Sequence, residues 1–176
     1  FFHPDPTVKR KSGFLFPFFT NTSSVGNGFG IPYYWAINED KDLTFTSQIY
    51  SKENNLFMNE YRQAFKNGFL TLDTSYTKGY KNITTTKTAG SRNHIFAQLD
   101  LNLSEDENIQ KDLFLKIQKT SNDTFLRTHS IDTALVDSKN TILENILDYS
   151  LIKDNMFFNI SAAVYENQRE KTKDRY

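Results

Sequence analysis

Apolar and polar residues alternate through most of the chain. In "DLTFTSQIY", Leu43, Phe45 and Ile49 fall on one face and Thr44, Thr46 and Gln48 on the other. "FLTLDTSY" sets Leu70, Leu72 and Tyr76 against Thr71, Asp73 and Ser75. "HIFAQLDLNL" sets Ile95, Ala97, Leu99, Leu101 and Leu103 against His94, Gln98, Asp100 and Asn102. The same rhythm runs through Leu113, Leu115 and Ile117, and through Met156, Phe158, Ile160, Ala162 and Val164. Successive strand side chains point to opposite faces, so this period of two predicts strands with one apolar face. In "TILENILDYSLI", Ile142, Leu143, Ile146, Leu147 and Leu151 also fit a helical stripe, but strand neighbours and the tight "KDN" turn after it favour a strand. "NLFMNEYRQAF" alternates poorly, although the "KNG" after it is a good hairpin turn.

The connections sort by length. "NEDK" (38–41), "KNG" (66–68) and "KDN" (153–155) are tight, whereas 79–91 and 120–138 are long and polar. "SEDENIQK" (104–111) is intermediate. The result is an all-β antiparallel meander of about nine strands, with short turns at one end and long loops at the other. That is the pattern of an outer-membrane β-barrel, of which this chain would be a partial segment. A soluble extracytoplasmic all-β binding module and a generic porin are the other two readings.

Composition narrows the classes. The 21 basic residues balance 21 acidic ones, which gives no electrostatic footprint for nucleic acid. There is no cysteine, hence no disulfide or thiolate site. His3, His94 and His129 lack metal-ligand spacing, and no cofactor motif is present. No apolar run approaches the roughly 18 residues of a membrane helix, which leaves barrel strands untouched. The chain opens at Phe1 without an initiator Met or signal peptide, as a piece of a longer protein would. No catalytic constellation stands out, so the chain reads as non-enzymatic. Ser12-Gly13 and Ser23-Ser24 lack a nucleophile-elbow context. "GNGFG" (26–30) reads as a turn entering a strand, because no helix follows it. The N-x-S/T matches at Asn21, Asn82, Asn102, Asn122 and Asn159 are chance in so Asn-rich a chain.

Two features break local rules. Each of the first two apolar runs contains a proline, Pro17 in "GFLFPFF" and Pro32 in "GIPYYWAI". Proline gives no N–H to a sheet ladder, so it belongs on edges or at bulges. Lys9, Arg10 and Lys11 form a basic cluster just before the first strand. They are either an interfacial flank or a contact with an anionic lipid.

The blocks "HPDPTVKRKSGFLFPFF", "GIPYYWAINEDKDLTFTSQIYSK", "NEYRQAFKNGFL" and "SRNHIF" come in an order and spacing that resembles the LPS-assembly protein LptD family, also called organic solvent tolerance protein. One departure is "INEDKDL", where many members carry Ala-Pro before the Asn. The resemblance implies a barrel of roughly two dozen strands in the outer membrane of a Gram-negative bacterium, preceded by a periplasmic jelly roll. Residues 1–11 would end the linker from that jelly roll, and residues 12–176 would form the first barrel strands. It further implies lipopolysaccharide as cargo, the lipoprotein LptE as a plug, and the periplasmic bridge protein LptA as a partner, with outer-membrane lipids around the barrel. In that family, prolines in the first two strands weaken the seam with the closing strand, and Pro17 and Pro32 match them as a lateral gate.

Overall fold

The computed structural model describes residues 10–81, 90–104 and 108–169. Consecutive strands form one antiparallel sheet: β1 (Gly13–Phe14), β2 (Phe18–Thr22), β3 (Gly26–Ala36), β4 (Lys41–Tyr50), β5 (Leu56–Phe65), β6 (Gly68–Thr77), β7 (Arg92–Asn102), β8 (Ile109–Thr120), β9 (Ile142–Lys153) and β10 (Met156–Asn167). Both β1 and β2 pair with β3, and from there each strand pairs with the next. The sheet therefore has ten strands by hydrogen bonding. The count exceeds the sequence expectation because the first strand is broken in two. The sheet is a segment of a larger barrel: β1–β2 form one free edge and β10 the other. No helix among the described residues is long and apolar enough to cross a membrane.

The segment 142–152 is a strand. It pairs over its full length with β10, from Ile142 opposite Asn167 to Lys153 opposite Met156. The tight turn between them is made by Asp154, whose φ of 49° is left-handed and tolerated by Asp. β5 is also a strand, and its register explains the poor alternation. Leu56, Met58, Glu60 and Arg62 lie opposite Gln48, Thr46, Thr44 and Asp42 of β4, while Phe57, Asn59 and Tyr61 share the other face. Two apolar side chains thus join the polar face, and Asn59 sits on the apolar one.

The apolar stripes point outward and stay exposed. Phe45, Ile49, Phe57, Tyr76, Ile95, Ile117, Leu147, Phe158 and Ile160 are all exposed. The inner face buries Asp42, Thr46, Gln48, Thr71, Asp73, Ser75, Thr77, His94, Gln118 and Thr120. A soluble sandwich does the reverse, because apolar burial drives its folding. An outward apolar band over a polar interior is the arrangement of a membrane barrel.

The apolar core lies inside, at the long-loop end. Val25 of the β2–β3 turn and Tyr50, Leu56, Phe96 and Leu143 of the wall pack with Phe125, Leu126, Ile131 and Val136 of the 121–141 connection. That connection was expected as a long polar loop. It instead folds onto the inner face, carrying a helical turn, α1 (Phe125–His129), closed by Ser130 at φ 51°.

Candidate seam on the first hairpin

The first strand is interrupted at Leu15–Pro17. Gly13 and Phe14 face Tyr34 and Tyr33, and the pairing resumes with Phe18 opposite Gly30. Three residues of the first strand thus stand opposite Ile31 and Pro32, which is a one-residue bulge. The bulge changes which face each phenylalanine takes. Without it Phe14, Phe16 and Phe18 would share a face. With it, Phe18 turns inward and Phe19 outward, against Phe29 at 5.0 Å between ring centroids. Phe19 is 80% exposed and Phe14 76%, two rings along the free edge on the outer side, and Phe16 in the bulge is 94% exposed.

The register fixes what each proline withholds. Leu15 N–H donates to the Pro32 carbonyl at 2.9 Å, so Pro32 turns its hydrogen-bonding edge toward the first strand. In an antiparallel ladder, alternate residues turn that edge the same way. Gly30 therefore also faces the first strand, and Phe18, its partner, faces back. Pro17 precedes Phe18, so its nitrogen points to the free edge. The two missing donors lie on opposite sides of the first strand, at the same level. Pro32 weakens the hairpin, and Pro17 weakens whatever pairs with the edge.

The glycines of β3 fit this hairpin together. A Cβ at Gly30 would collide with the Phe18 ring, and one at Gly28 with the Thr20 hydroxyl and the Tyr50 ring. Phe18 thus lies flat over a strand with no side chain beneath it. Thr20 Oγ1 accepts from Gln48 Nε2 at 2.9 Å, which ties β2 across β3 to β4 on the inner face.

Below the bulge the chain is anchored separately. Ser12 Oγ accepts from Ala36 N–H at 3.0 Å. Arg10 Nη1 lies 2.9 Å from Asp42 Oδ2, and Arg62 Nε lies 2.8 Å from Asp42 Oδ1. The Tyr34 hydroxyl donates to the same carboxylate at 3.3 Å. Of the basic cluster, Arg10 is thus held on buried Asp42, Lys11 is exposed, and Lys9 lies outside the described residues.

The structure also gathers residues that the sequence kept apart. Buried His94 places Nε2 2.9 Å from Asp73 Oδ1 and Nδ1 2.5 Å from Ser75 Oγ. A carboxylate only accepts, so Nε2 donates to Asp73, and the Ser75 hydroxyl completes the trio at Nδ1. The Ser–His–Asp order is that of a hydrolytic triad, but with the two ring nitrogens exchanged. However, His94 is 0% exposed and packs against Phe96 and Phe125 at 5.2 and 6.3 Å, so no scissile bond reaches Ser75. The trio braces the wall beneath the folded-in loop. Tyr50 does the same from β4, its hydroxyl reaching the His129 carbonyl at 3.4 Å. His129 itself donates from Nδ1 to the Phe125 carbonyl at 3.2 Å, and burial lowers its pKa below the usual histidine value.

A family model described as LptD protein matches residues 1–174. The LPS-assembly protein LptD of Nitrosomonas europaea is 31% identical over 128 residues, covering 68% of this chain and 17% of that protein. Its counterpart in Chromobacterium violaceum is 47% identical over 53 residues, covering 30% of this chain and 7% of that protein. The Legionella pneumophila protein of the same name is 25% identical over 150 residues, covering 80% of this chain and 18% of that protein. The chain thus spans under a fifth of the length of these relatives. With a family match over nearly all of its length and an outward apolar band on an antiparallel sheet, the chain belongs to the LptD protein family.

Proposed function

We propose that this chain is the first part of an outer-membrane barrel that passes lipopolysaccharide sideways into the outer leaflet. The observation that carries the reading is the broken first strand at the free edge. It has exposed phenylalanines on the lipid side, a polar wall on the inner side, and no backbone donor at Pro17. A seam between media of opposite polarity suits a molecule with an acyl end and a sugar end. The acyl chains leave between the first and closing strands while the sugars stay on the polar wall. The protein performs no covalent chemistry in this scheme.

Residues 1–11 then end a linker from a periplasmic jelly roll, and 12–176 begin the barrel. The lipoprotein LptE plugs the lumen, and LptA brings cargo to the jelly roll. Lys9 and Lys11 contact phosphates of the membrane surface, while Arg10 keeps the linker on Asp42. Depleting the full-length protein from cells tests the reading. Newly made lipopolysaccharide should stop appearing at the surface and collect on the periplasmic side. Normal surface labelling after depletion would refute transport.

A further inference from the structure

A cavity of about 190 Å³ lies between the inner wall and the folded-in loop. It opens beside the first hairpin and is lined by Thr20, Thr44, Thr46, Glu60, Asp73 and Thr133 among others. Its walls mix hydroxyls and carboxylates with apolar surface from Phe18, Met58 and Ile131. Asp73 gives Oδ1 to His94, but its buried Oδ2 has no hydrogen-bond partner among the described residues. Buried polar atoms are nearly always paired, so an orphaned carboxylate oxygen on a cavity wall calls for a donor from outside.

The lining selects the class of ligand. Glu60 and Asp73 make the cavity hostile to a phosphate or another anion. A hard divalent cation wants about six to eight oxygen ligands, usually with several carboxylates. Here both carboxylates are already engaged, Asp73 by His94 and Glu60 by Arg62 at 3.6 Å. A neutral polyol satisfies the rest: its hydroxyls donate to carboxylates and threonines, and its C–H face rests on Phe18. We propose that this cavity is a binding site for one neutral saccharide ring, a sugar unit of the transported glycolipid. The site rests on the transport reading. It places the sugar next to Thr20, just inside the seam through which the acyl chains leave.

The test uses the purified full-length protein with its plug partner. The probe is the lipid-free oligosaccharide released from lipopolysaccharide by mild acid, with binding read by saturation-transfer NMR and calorimetry. Thr44→Val with Thr46→Val keeps the shape and removes two hydroxyls. It should weaken binding about thirty-fold, as expected for two lost hydrogen bonds. Thr133→Trp fills the cavity from the loop and should abolish binding. Because it lies outside the barrel wall, it decides the matter if the double variant fails to assemble. Binding that is absent in the parent protein, unchanged in the variants, or displaced by inorganic phosphate or calcium overturns the proposal. Depletion separates the two ideas. Lost surface lipopolysaccharide with unchanged binding by the variants overturns the saccharide site and leaves transport standing. Weakened binding with no effect of depletion keeps the saccharide site and overturns transport.

Discussion

Replacing Pro17 with alanine puts a backbone donor on the free edge of the first strand, where the closing strand would pair. One regained hydrogen bond contributes about 1 kcal/mol net, and more where hydrocarbon excludes water. An added 1 kcal/mol on the closed form lowers the open population about five-fold. Pro32→Ala acts on the other side. Its new N–H points to the first strand at Leu15, so it strengthens the hairpin by a similar amount without touching the seam. Alanine is also freer at φ than proline, which lets the bulge straighten in either variant. The assay is surface lipopolysaccharide at matched barrel abundance, with entry of large antibiotics as a second readout. Pro17→Ala should reduce delivery several-fold, Pro32→Ala alone should have a smaller effect, and the pair should be the most impaired. A Pro32→Ala defect equal to or larger than that of Pro17→Ala would refute the side assigned to each donor. Failure of the barrel to assemble would move the role of the prolines to folding.

Three further outcomes follow from the same geometry. Leu99 pairs with Leu70 and Leu115 on the outer face, so Leu99→Arg should cost about 2–4 kcal/mol near the membrane midplane. Gln98→Arg, on the inner face, should cost little, and urea titration of the barrel in vesicles compares the two. Burial lowers the pKa of His129, so the undocked loop binds protons more readily than the docked one. Docking of 121–141 should be fully present above the ordinary value of 6.5 and weaken as pH falls through it, seen as faster hydrogen exchange there; slower exchange in acid would contradict this. An epitope inserted at exposed Lys139 in the full-length protein should be reachable on intact cells and one at Asn67 should not, and the reverse would invert the barrel.

Most strands were legible because their outer stripes are regular: Leu43, Phe45 and Ile49 alternate with polar neighbours, interrupted only by Ser47. β5 was not, because Leu56 and Met58 face inward to meet the loop and Asn59 faces outward, which scrambles the period. The ambiguity at 142–152 could not be resolved locally, since Ile146 faces inward while Leu147 faces outward beside it. The inward fold of the loop leaves no signal in the sequence, because Phe125, Leu126, Ile131 and Val136 follow no period and their burial depends on a wall built from distant strands. The bulge was hidden for a related reason. In "FLFPFF" every position is apolar, so neither phase of the alternation is marked and only the register with β3 reveals the slip. The pairing of His94 with Asp73 and Ser75, and of Arg10 with Asp42, likewise requires strand register that no short motif carries.

The central claim is that the edge formed by β1 and β2 opens during delivery. The most direct measurement is an oxidation-controlled staple across it. A cysteine at Phe19, exposed on that edge, is paired with one on the closing strand of the full-length protein, placed within the roughly 4.4–6.8 Å Cα separation that a disulfide spans. Oxidation should stop the appearance of new lipopolysaccharide at the surface, and a reductant should restore it within the same cells. Undiminished delivery by a fully oxidised, correctly assembled barrel would contradict the account.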